Sequence, residues 1–127
     1  MHIGTQKQVL VVDDERDTCE ILVGKLTEAG FLVTCAHDGA EGLEKIVSDK
    51  PDLVVLDILM PGTSGIDLLR AYGEQAEPGG PHFIVVTNMD AMEAMSAVFS
   101  HKVTDVRSKA ETTIEELVAL VSRRLSE

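Results

Sequence analysis

Residues 9–15 read VLVVDDE, a short run of valine and leucine that ends abruptly in three carboxylates. Nearly continuous apolar runs recur at Leu53–Leu56 and Phe83–Val86. Runs of this kind are typical of strands that are buried on both faces of a parallel sheet. Two more mixed runs, Phe31–Cys35 and Val103–Val106, predict strands that are less fully buried. The sequence therefore predicts five strands.

Helical periodicity fills the stretches between these runs. The apolar residues at helical spacing are Cys19, Leu22, Val23 and Leu26; Ala40, Leu43 and Val47; Ile66, Leu69 and Tyr72; Met92, Met95 and Phe99; and Ile114, Leu117, Val118, Val121 and Leu125. Thr113 and Glu116 have the spacing of a capping box at the start of the last helix. Met92 and Met95 are expected to lie in the core, since methionine commonly fills core space.

The alternation of strand and helix, repeated five times, predicts an α/β fold with a doubly wound parallel sheet and helices on both faces. The 127 residues fit one domain, which we assign to residues 1–127 with a core from about 8 to 126. We find no linker, repeat or low-complexity tract. The loop Glu74–His82, with its central EPGGP, is the one flexible-looking stretch.

The composition restricts the classes of partner. The net charge of −11 argues against direct binding of nucleic acid and against binding to anionic membranes, because both need a basic face. No apolar run approaches the roughly 20 residues of a membrane span, and the first residues lack the apolar core of a signal peptide. We therefore expect a cytoplasmic protein in which Cys19 and Cys35 are reduced and mostly buried thiols.

The candidate site lies beyond the carboxyl ends of the strands, where doubly wound sheets bind their ligands. The residues that follow the predicted strands are Asp13, Asp14 and Glu15; Asp57; Thr87 and Asn88; and Lys109. Converging carboxylates repel one another, and a hard divalent cation removes that repulsion. Asp14 and Asp57 are plausible direct ligands of Mg²⁺, with Asp13 reaching it through water.

This set of side chains fits phosphoryl transfer. A carboxylate can attack phosphorus and form an acyl phosphate. A metal ion together with Lys109 would neutralise the charge on the phosphoryl oxygens, and Thr87 would add a hydroxyl without charge. The alternative is a surface cluster of acids with a lysine nearby by chance.

Three segments resemble response-regulator receiver domains. VLVVDDE at 9–15 resembles their first strand and acid pair, and LDILMPGTSG at 56–65 resembles their phosphorylation loop, D-x-x-M-P-x-x-x-G. Val85–Thr87 resembles the strand that ends in their switch threonine, and Lys109 stands where their lysine stands. The resemblance covers about residues 8 to 126.

The resemblance implies a flavodoxin-like fold of five strands in the order 2-1-3-4-5 with five helices. It implies that Asp57 is the phosphoacceptor, that Asp13, Asp14, Asp57 and the carbonyl of Leu59 bind Mg²⁺, and that Thr87 and Lys109 contact the phosphoryl group. The donor would be a sensor histidine kinase or a phosphotransfer protein, and the output an unknown downstream protein. Such a domain catalyses only its own phosphorylation and dephosphorylation, so it is not an enzyme in the usual sense.

The part that reads out phosphorylation departs from the family pattern. Val106 stands where the family usually has Tyr or Phe, and a β-branched side chain is stiff at χ1. Ala110 follows Lys109 in place of a proline whose peptide bond is typically cis, and a non-proline cis bond costs roughly 2.5–4 kcal/mol. We therefore expect a trans turn or a strained one. Asn88 follows Thr87 where a small residue is common, so it either crowds the site or donates a hydrogen bond to it.

Three other readings compete with a phosphorylated receiver. Val106 and Ala110 favour a pseudo-receiver that binds proteins independently of phosphate. A hydrolase of the haloacid dehalogenase type needs a second aspartate two residues after the nucleophile, where this chain has Leu59. A nucleotide-binding site is disfavoured because the turn at residues 13–17 has no glycine and would repel phosphate.

Overall fold

The computed structural model describes residues 6–60, 62, 64–74, 79–98 and 101–126. The described residues form one parallel sheet in the order β2-β1-β3-β4-β5, which confirms the predicted fold class. The strands are β1 (Gln8–Val12), β2 (Leu32–Ala36), β3 (Leu53–Leu56), β4 (His82–Thr87) and β5 (Asp105–Ser108). The helices are α1 (Arg16–Glu28), α2 (Gly39–Asp49), α3 (Gly65–Glu74), α4 (Ala91–Val98) and α5 (Ile114–Leu125).

The pleat of the central strands builds two separate cores. Leu10 and Val12 of β1 face one side of the sheet, where they pack with buried residues of α2, α3 and α4. Val9 and Val11 face the other side, where they pack with α1 and α5. Because both faces are covered, every residue of β3 is buried, as the continuous apolar run predicts.

The fifth strand lies two residues further along the chain than the sequence predicted. Pairing begins at Asp105, opposite Ile84, whereas the prediction placed the strand at residues 103–106. Asp105 is buried and accepts two hydrogen bonds from Arg124 of α5, at 2.7 and 2.9 Å. This ion pair allows a charged residue to stand at the first position of the strand. A prediction based on apolar residues cannot find a strand that begins in this way.

The predicted burial of two methionines is wrong. Met92 and Met95, expected in the core, are 81 % and 59 % exposed, because α4 turns Ala94 and Val98 inward instead. In α2, which the apolar spacing predicted, Ala40 and Val47 are exposed, while Leu43 is half-buried and packs against the core.

The buried face of α2 is formed by Gly39, Gly42 and Ile46. A Cβ on Gly42 would lie 2.9 Å from Leu68 Cδ1 and 3.0 Å from Val12 Cγ1, so glycine permits a close approach of this helix to the sheet. Apolar periodicity does not count glycine and therefore missed this face.

Local signals at the helix ends agree with the sequence. The capping box at α5 is confirmed, since the Thr113 side chain accepts from the Glu116 amide and the Glu116 side chain accepts from the Thr113 amide. Every peptide bond in the described part of the chain is trans, so the turn after Lys109 is the trans form of the two that the sequence left open. In the same part of the chain, we find no helix with the length and apolar character of a bilayer span.

Candidate functional site

Adjacent strand ends bring the predicted carboxylates together. Val12 of β1 pairs with Leu56 of β3, so Asp13 and Asp57 leave the sheet side by side. Backbone hydrogen bonding continues one residue past the carboxyl ends of β1 and β3. The Asp57 amide donates to the Val12 carbonyl, and the Asp13 amide donates to the Ala36 carbonyl, each at 3.0 Å. The backbone therefore fixes both aspartates at the same edge of the sheet.

Asp14 completes a cluster of three carboxylates. One carboxylate oxygen from each of Asp13, Asp14 and Asp57 lies within 4.8 Å of the others. Asp13 and Asp57 are each 5 % exposed, whereas Asp14 is exposed to solvent. An all-oxygen donor set that opens to water on one side fits Mg²⁺, which prefers oxygen ligands and usually keeps several waters.

Lys109 enters this cluster from the end of β5. Its Nζ lies 2.8 Å from Asp13 Oδ2 and 3.0 Å from Asp57 Oδ2, and it also contacts Glu15 Oε1. Burial by itself lowers the pKa of a lysine, but here the hydrogen bonds to Asp13, Glu15 and Asp57 outweigh it and raise the pKa of Lys109. The lysine is therefore charged throughout the physiological range of pH.

The pKa of Asp13 is raised because burial disfavours its charged form. The hydrogen bonds from Lys109 and from the Glu15 amide oppose that effect without cancelling it. One ammonium group is thus shared among three carboxylates and leaves Asp13 incompletely compensated. A divalent cation would supply the missing positive charge.

Glu15 was among the residues predicted at the strand ends, but sequence reasoning assigned it no contact with Lys109. Its side chain is 56 % exposed and reaches Lys109 from the turn after β1. The available signal was its place directly after the acid pair, in the run VLVVDDE. Sequence alone did not indicate that this side chain folds back over the sheet edge.

The loop after Asp57 is held by close backbone contacts. The Leu59 amide donates to Asp57 Oδ1 at 2.9 Å, and the Leu59 side chain is 48 % exposed. A Cβ on Gly65 would lie 2.6 Å from the Asp57 carbonyl oxygen and 2.7 Å from Ile58 Cα. Glycine at position 65 therefore allows α3 to start directly against the loop, and the role of the Leu59 carbonyl as a metal ligand stays a prediction.

Thr87 is the last residue of β4 and is 1 % exposed. Its hydroxyl oxygen accepts from the Met89 amide at 3.2 Å, and its carbonyl accepts from the Lys109 amide at 2.8 Å. Thr87 thus links the turn after β4 to the backbone of Lys109. Asn88 is exposed to solvent.

Val106 pairs with Val85 in the sheet and packs, half-buried, against the core on the side of α2, α3 and α4. It fills this position with a short side chain and offers no aromatic ring that could swing inward. The site thus combines the polar groups predicted from the sequence with a valine at the position where the family resemblance implies an aromatic residue.

Comparison with known proteins agrees with this geometry. A family model described as response regulator receiver domain matches residues 9–122. Response regulator MprA of Mycobacterium ulcerans (strain Agy99) is 48 % identical over 63 residues, which are 50 % of this chain and 27 % of that protein. The aligned segment thus spans only about a quarter of the curated relative.

Solved structures match nearly the whole chain. The CheY-like receiver domain from Methanospirillum hungatei JF-1 superposes with a TM-score of 0.86 at 24 % identity, covering 96 % of this chain and 95 % of that one. Response regulator TrrA from Thermotoga maritima, solved in complex with Mg²⁺ and BeF, superposes with a TM-score of 0.79 at 30 % identity, covering 93 % of this chain and 98 % of that one.

Proposed function

Because the chain belongs to the response regulator receiver domain family, we propose that it is a phosphoacceptor in a two-component phosphorelay and that Asp57 takes the phosphoryl group. The observation that carries this proposal is the convergence of Asp13, Asp14 and Asp57 with Lys109 at one sheet edge. A chance cluster of surface acids would not place a half-buried ammonium group, carried by the residue after β5, 3.0 Å from a buried carboxylate that follows β3.

Asp13, Asp14, Asp57 and the carbonyl of Leu59 would hold Mg²⁺, which supplies positive charge to phosphoryl oxygens when it is bound. Asp57 is the nucleophile: one carboxylate oxygen forms a bond to phosphorus while the bond from phosphorus to the donor breaks. The nitrogen of a phosphohistidine, or the acyl oxygen of acetyl phosphate, leaves with the electron pair of that bond.

Lys109 holds its positive charge beside Asp57 before and after transfer. Its contact with Asp57 Oδ2 can pass to a phosphoryl oxygen with a small movement of the ammonium group, since both lie at the same sheet edge. The Thr87 hydroxyl would turn from the Met89 amide toward the phosphoryl group. Loss of that hydrogen bond would release the turn after β4 and give the switch its output.

The donor in this proposal is a sensor histidine kinase or a phosphotransfer protein in the cytoplasm, and the output is a change in the affinity for a downstream protein. Residues 1–127 act in it as a single receiver domain. The domain catalyses only its own phosphorylation and dephosphorylation. The net charge of −11 supports a protein partner in preference to direct contact with nucleic acid.

Incubation with acetyl phosphate and Mg²⁺, followed by intact mass measurement, tests the proposal. We expect one phosphoryl adduct that does not form when Mg²⁺ is chelated beforehand and that is abolished by Asp57→Asn. The variant Asp52→Asn is the matched control, because Asp52 lies at the opposite end of β3. An adduct that persists in Asp57→Asn would contradict the assignment.

Binding of the metal can be measured separately by NMR. Titration with millimolar Mg²⁺ should shift the amides around Asp14, Asp57 and Leu59, because the carboxylates converge there. A titration without shifts at these amides would show that the three carboxylates do not form a metal site.

A pseudo-receiver is the second candidate, and Val106 with the trans turn after Lys109 favours it. Such a module would fold as described here but would bind its partner equally well as the native protein and as Asp57→Asn. The same mass experiment separates the two candidates, since a pseudo-receiver would form no adduct at Asp57.

A further inference from the structure

A cavity of about 520 Å³ opens at the amino-terminal end of the sheet, at the opposite end of the strands from the acid cluster. Lys7 and Asp52 directly precede β1 and β3, and His82 is the first residue of β4. These three residues line the cavity together with residues near the ends of α2, α3 and α5. Small-molecule sites in proteins commonly occupy about 300–1,000 Å³, so this cavity has room for a small organic ligand.

Part of the cavity wall is apolar and held in place by packing. Ile46 is 2 % exposed, and Pro51 is also buried. The Tyr72 ring packs against Phe83 with 5.5 Å between the ring centroids, which restrains the tyrosine at the cavity wall. The apolar body of a ligand would leave water against this part of the wall.

The rest of the wall carries positive charge. Lys7, Lys50 and Arg124 line the cavity, in a chain whose net charge is −11. Among the described residues of the wall, Asp52 has the only carboxylate, and its Oδ2 accepts from the Gln8 amide at 2.8 Å. The wall therefore attracts a negatively charged ligand, whereas the chain as a whole repels it.

Two of these cations are available to a ligand. Arg124 pairs with Asp105 at 2.7 Å, so its charge is already compensated. Within the part of the chain that the structure describes, neither Lys7 nor Lys50 forms an ion pair, and both side chains are exposed. The His82 ring adds a further N–H donor, which histidine has in either protonation state.

The helix ends explain only part of this charge. Helix C-termini attract cations, which accounts for Lys50 after α2 and for Arg124 in the last turn of α5. Lys7 and His82 stand at the starts of strands, where no helix of their own favours a cation. Lys50 also has a φ of 49°, a left-handed conformation that glycine adopts more easily, so a lysine here has a conformational cost. The positive charge of the wall therefore exceeds what the helix ends explain.

We propose that this cavity binds a small organic anion, a molecule with a flat apolar body and one carboxylate. The body would lie against Ile46 and Tyr72, and the carboxylate would accept hydrogen bonds at the side of Lys7 and Lys50. The inference is independent of the proposed function, because the cavity and the acid cluster lie at opposite ends of the parallel strands.

Naphthoate has both features and is the probe for this site. In an NMR titration we expect saturable shifts of the amides of Lys50, Tyr72 and His82, with a Kd of about 1 mM, which is ordinary for a ligand of so few atoms. The neutral naphthamide has the same shape without the charge and should bind about three- to tenfold more weakly. Shifts that do not saturate, or equal affinity for the two compounds, would overturn the proposal.

Matched variants locate the site. Val47 lines the cavity and is 48 % exposed, and Ile21 of α1 is 51 % exposed outside it. Val47→Glu should abolish binding of naphthoate, whereas Ile21→Glu adds the same charge and should leave the Kd unchanged. Lys7→Gln should weaken binding about two- to fivefold, the range of an exposed ion pair, whereas Lys102→Gln, at an exposed lysine outside the cavity, should not.

Far-UV circular dichroism shows whether each variant keeps the fold. If Val47→Glu unfolds, the comparison of Lys7→Gln with Lys102→Gln decides the question, because both lysines are exposed. Equal losses of affinity in the members of either pair, or full affinity in Lys7→Gln, would show that naphthoate does not bind in this cavity.

Discussion

The close contact at Gly65 makes a sharp prediction about the phosphorylation loop. An alanine there would place its Cβ 2.6 Å from the Asp57 carbonyl oxygen, 2.7 Å from Ile58 Cα and 2.9 Å from Ile58 Cγ2. The two nearest atoms belong to the backbone, so no side-chain rotation relieves the contact. The backbone that carries Asp57 must move if the helix start stays in place.

Insertion of a methyl group into a packed interior costs about 1–3 kcal/mol. We expect Gly65→Ala to lie at the upper end, about 3 kcal/mol, because the obstruction is main chain. A loss of 1 kcal/mol lowers Tm by about 4 °C in a domain of this size, so Tm should fall by about 12 °C. Binding of Mg²⁺ should weaken as well, since Asp57 is displaced.

Gly73→Ala provides a control within the same helix. A Cβ at this exposed position meets nothing within 4 Å, so alanine should stabilise α3 by about 0.5–1 kcal/mol relative to glycine. Thermal unfolding followed by circular dichroism measures both variants. If Gly65→Ala unfolds within about 2 °C of the native protein and binds Mg²⁺ normally, the close approach of α3 to Asp57 is not as described.

Three further predictions concern the lifetime of the phosphoryl group, the anchoring of α5 and the readout. Leu59 and Met89 have no polar group that could position a water for hydrolysis of the acyl phosphate. A Leu59→Asn, Met89→Glu double variant should therefore lose its phosphoryl group several-fold faster than the native protein. Equal decay rates in the two proteins, with both folds intact, would contradict this. Asp105→Asn should lose about 2 kcal/mol at pH 7, because a neutral amide replaces the buried carboxylate that accepts two charge-assisted hydrogen bonds from Arg124. The hydrogen bonds from Arg124 lower the pKa of Asp105. The native protein should therefore keep its larger free energy of unfolding above pH 3.8, the ordinary pKa, and lose it as the pH falls through the lower pKa of the folded state. Urea unfolding of both proteins at pH 7 and pH 3 measures this difference, and a difference that does not depend on pH would refute the prediction. With beryllofluoride bound, segment 88–91 should move more than Val106, and a crystal structure in which Val106 moves while that segment stays would show the opposite.

The strands that build the site were the easiest elements to predict. Leu53–Leu56 is buried on both faces and therefore consists of apolar residues with no alternation, which marks it in the sequence. The same runs fix where each strand ends, and hence which polar residues stand at the sheet edge. The positions of Asp13 and Asp57 followed from this rule together with the parallel topology.

Features that depend on tertiary partners were not predictable. Asp105 opens β5 only because Arg124, on another element, compensates its charge. Gly42 contributes to a buried face by its lack of a side chain, which a count of apolar residues ignores. Glu15 reaches Lys109 only after the turn has folded.

The identity of the residue that carries the phosphoryl group is the most direct test of the proposed function. Borohydride reduces an acyl phosphate of aspartate to homoserine, so treatment after phosphorylation by acetyl phosphate marks the acceptor covalently. Peptide sequencing by mass spectrometry should find homoserine at position 57, dependent on Mg²⁺ and absent from untreated protein. Homoserine at position 13 or 14, or a phosphoryl group that survives borohydride on a hydroxyl side chain, would contradict the account.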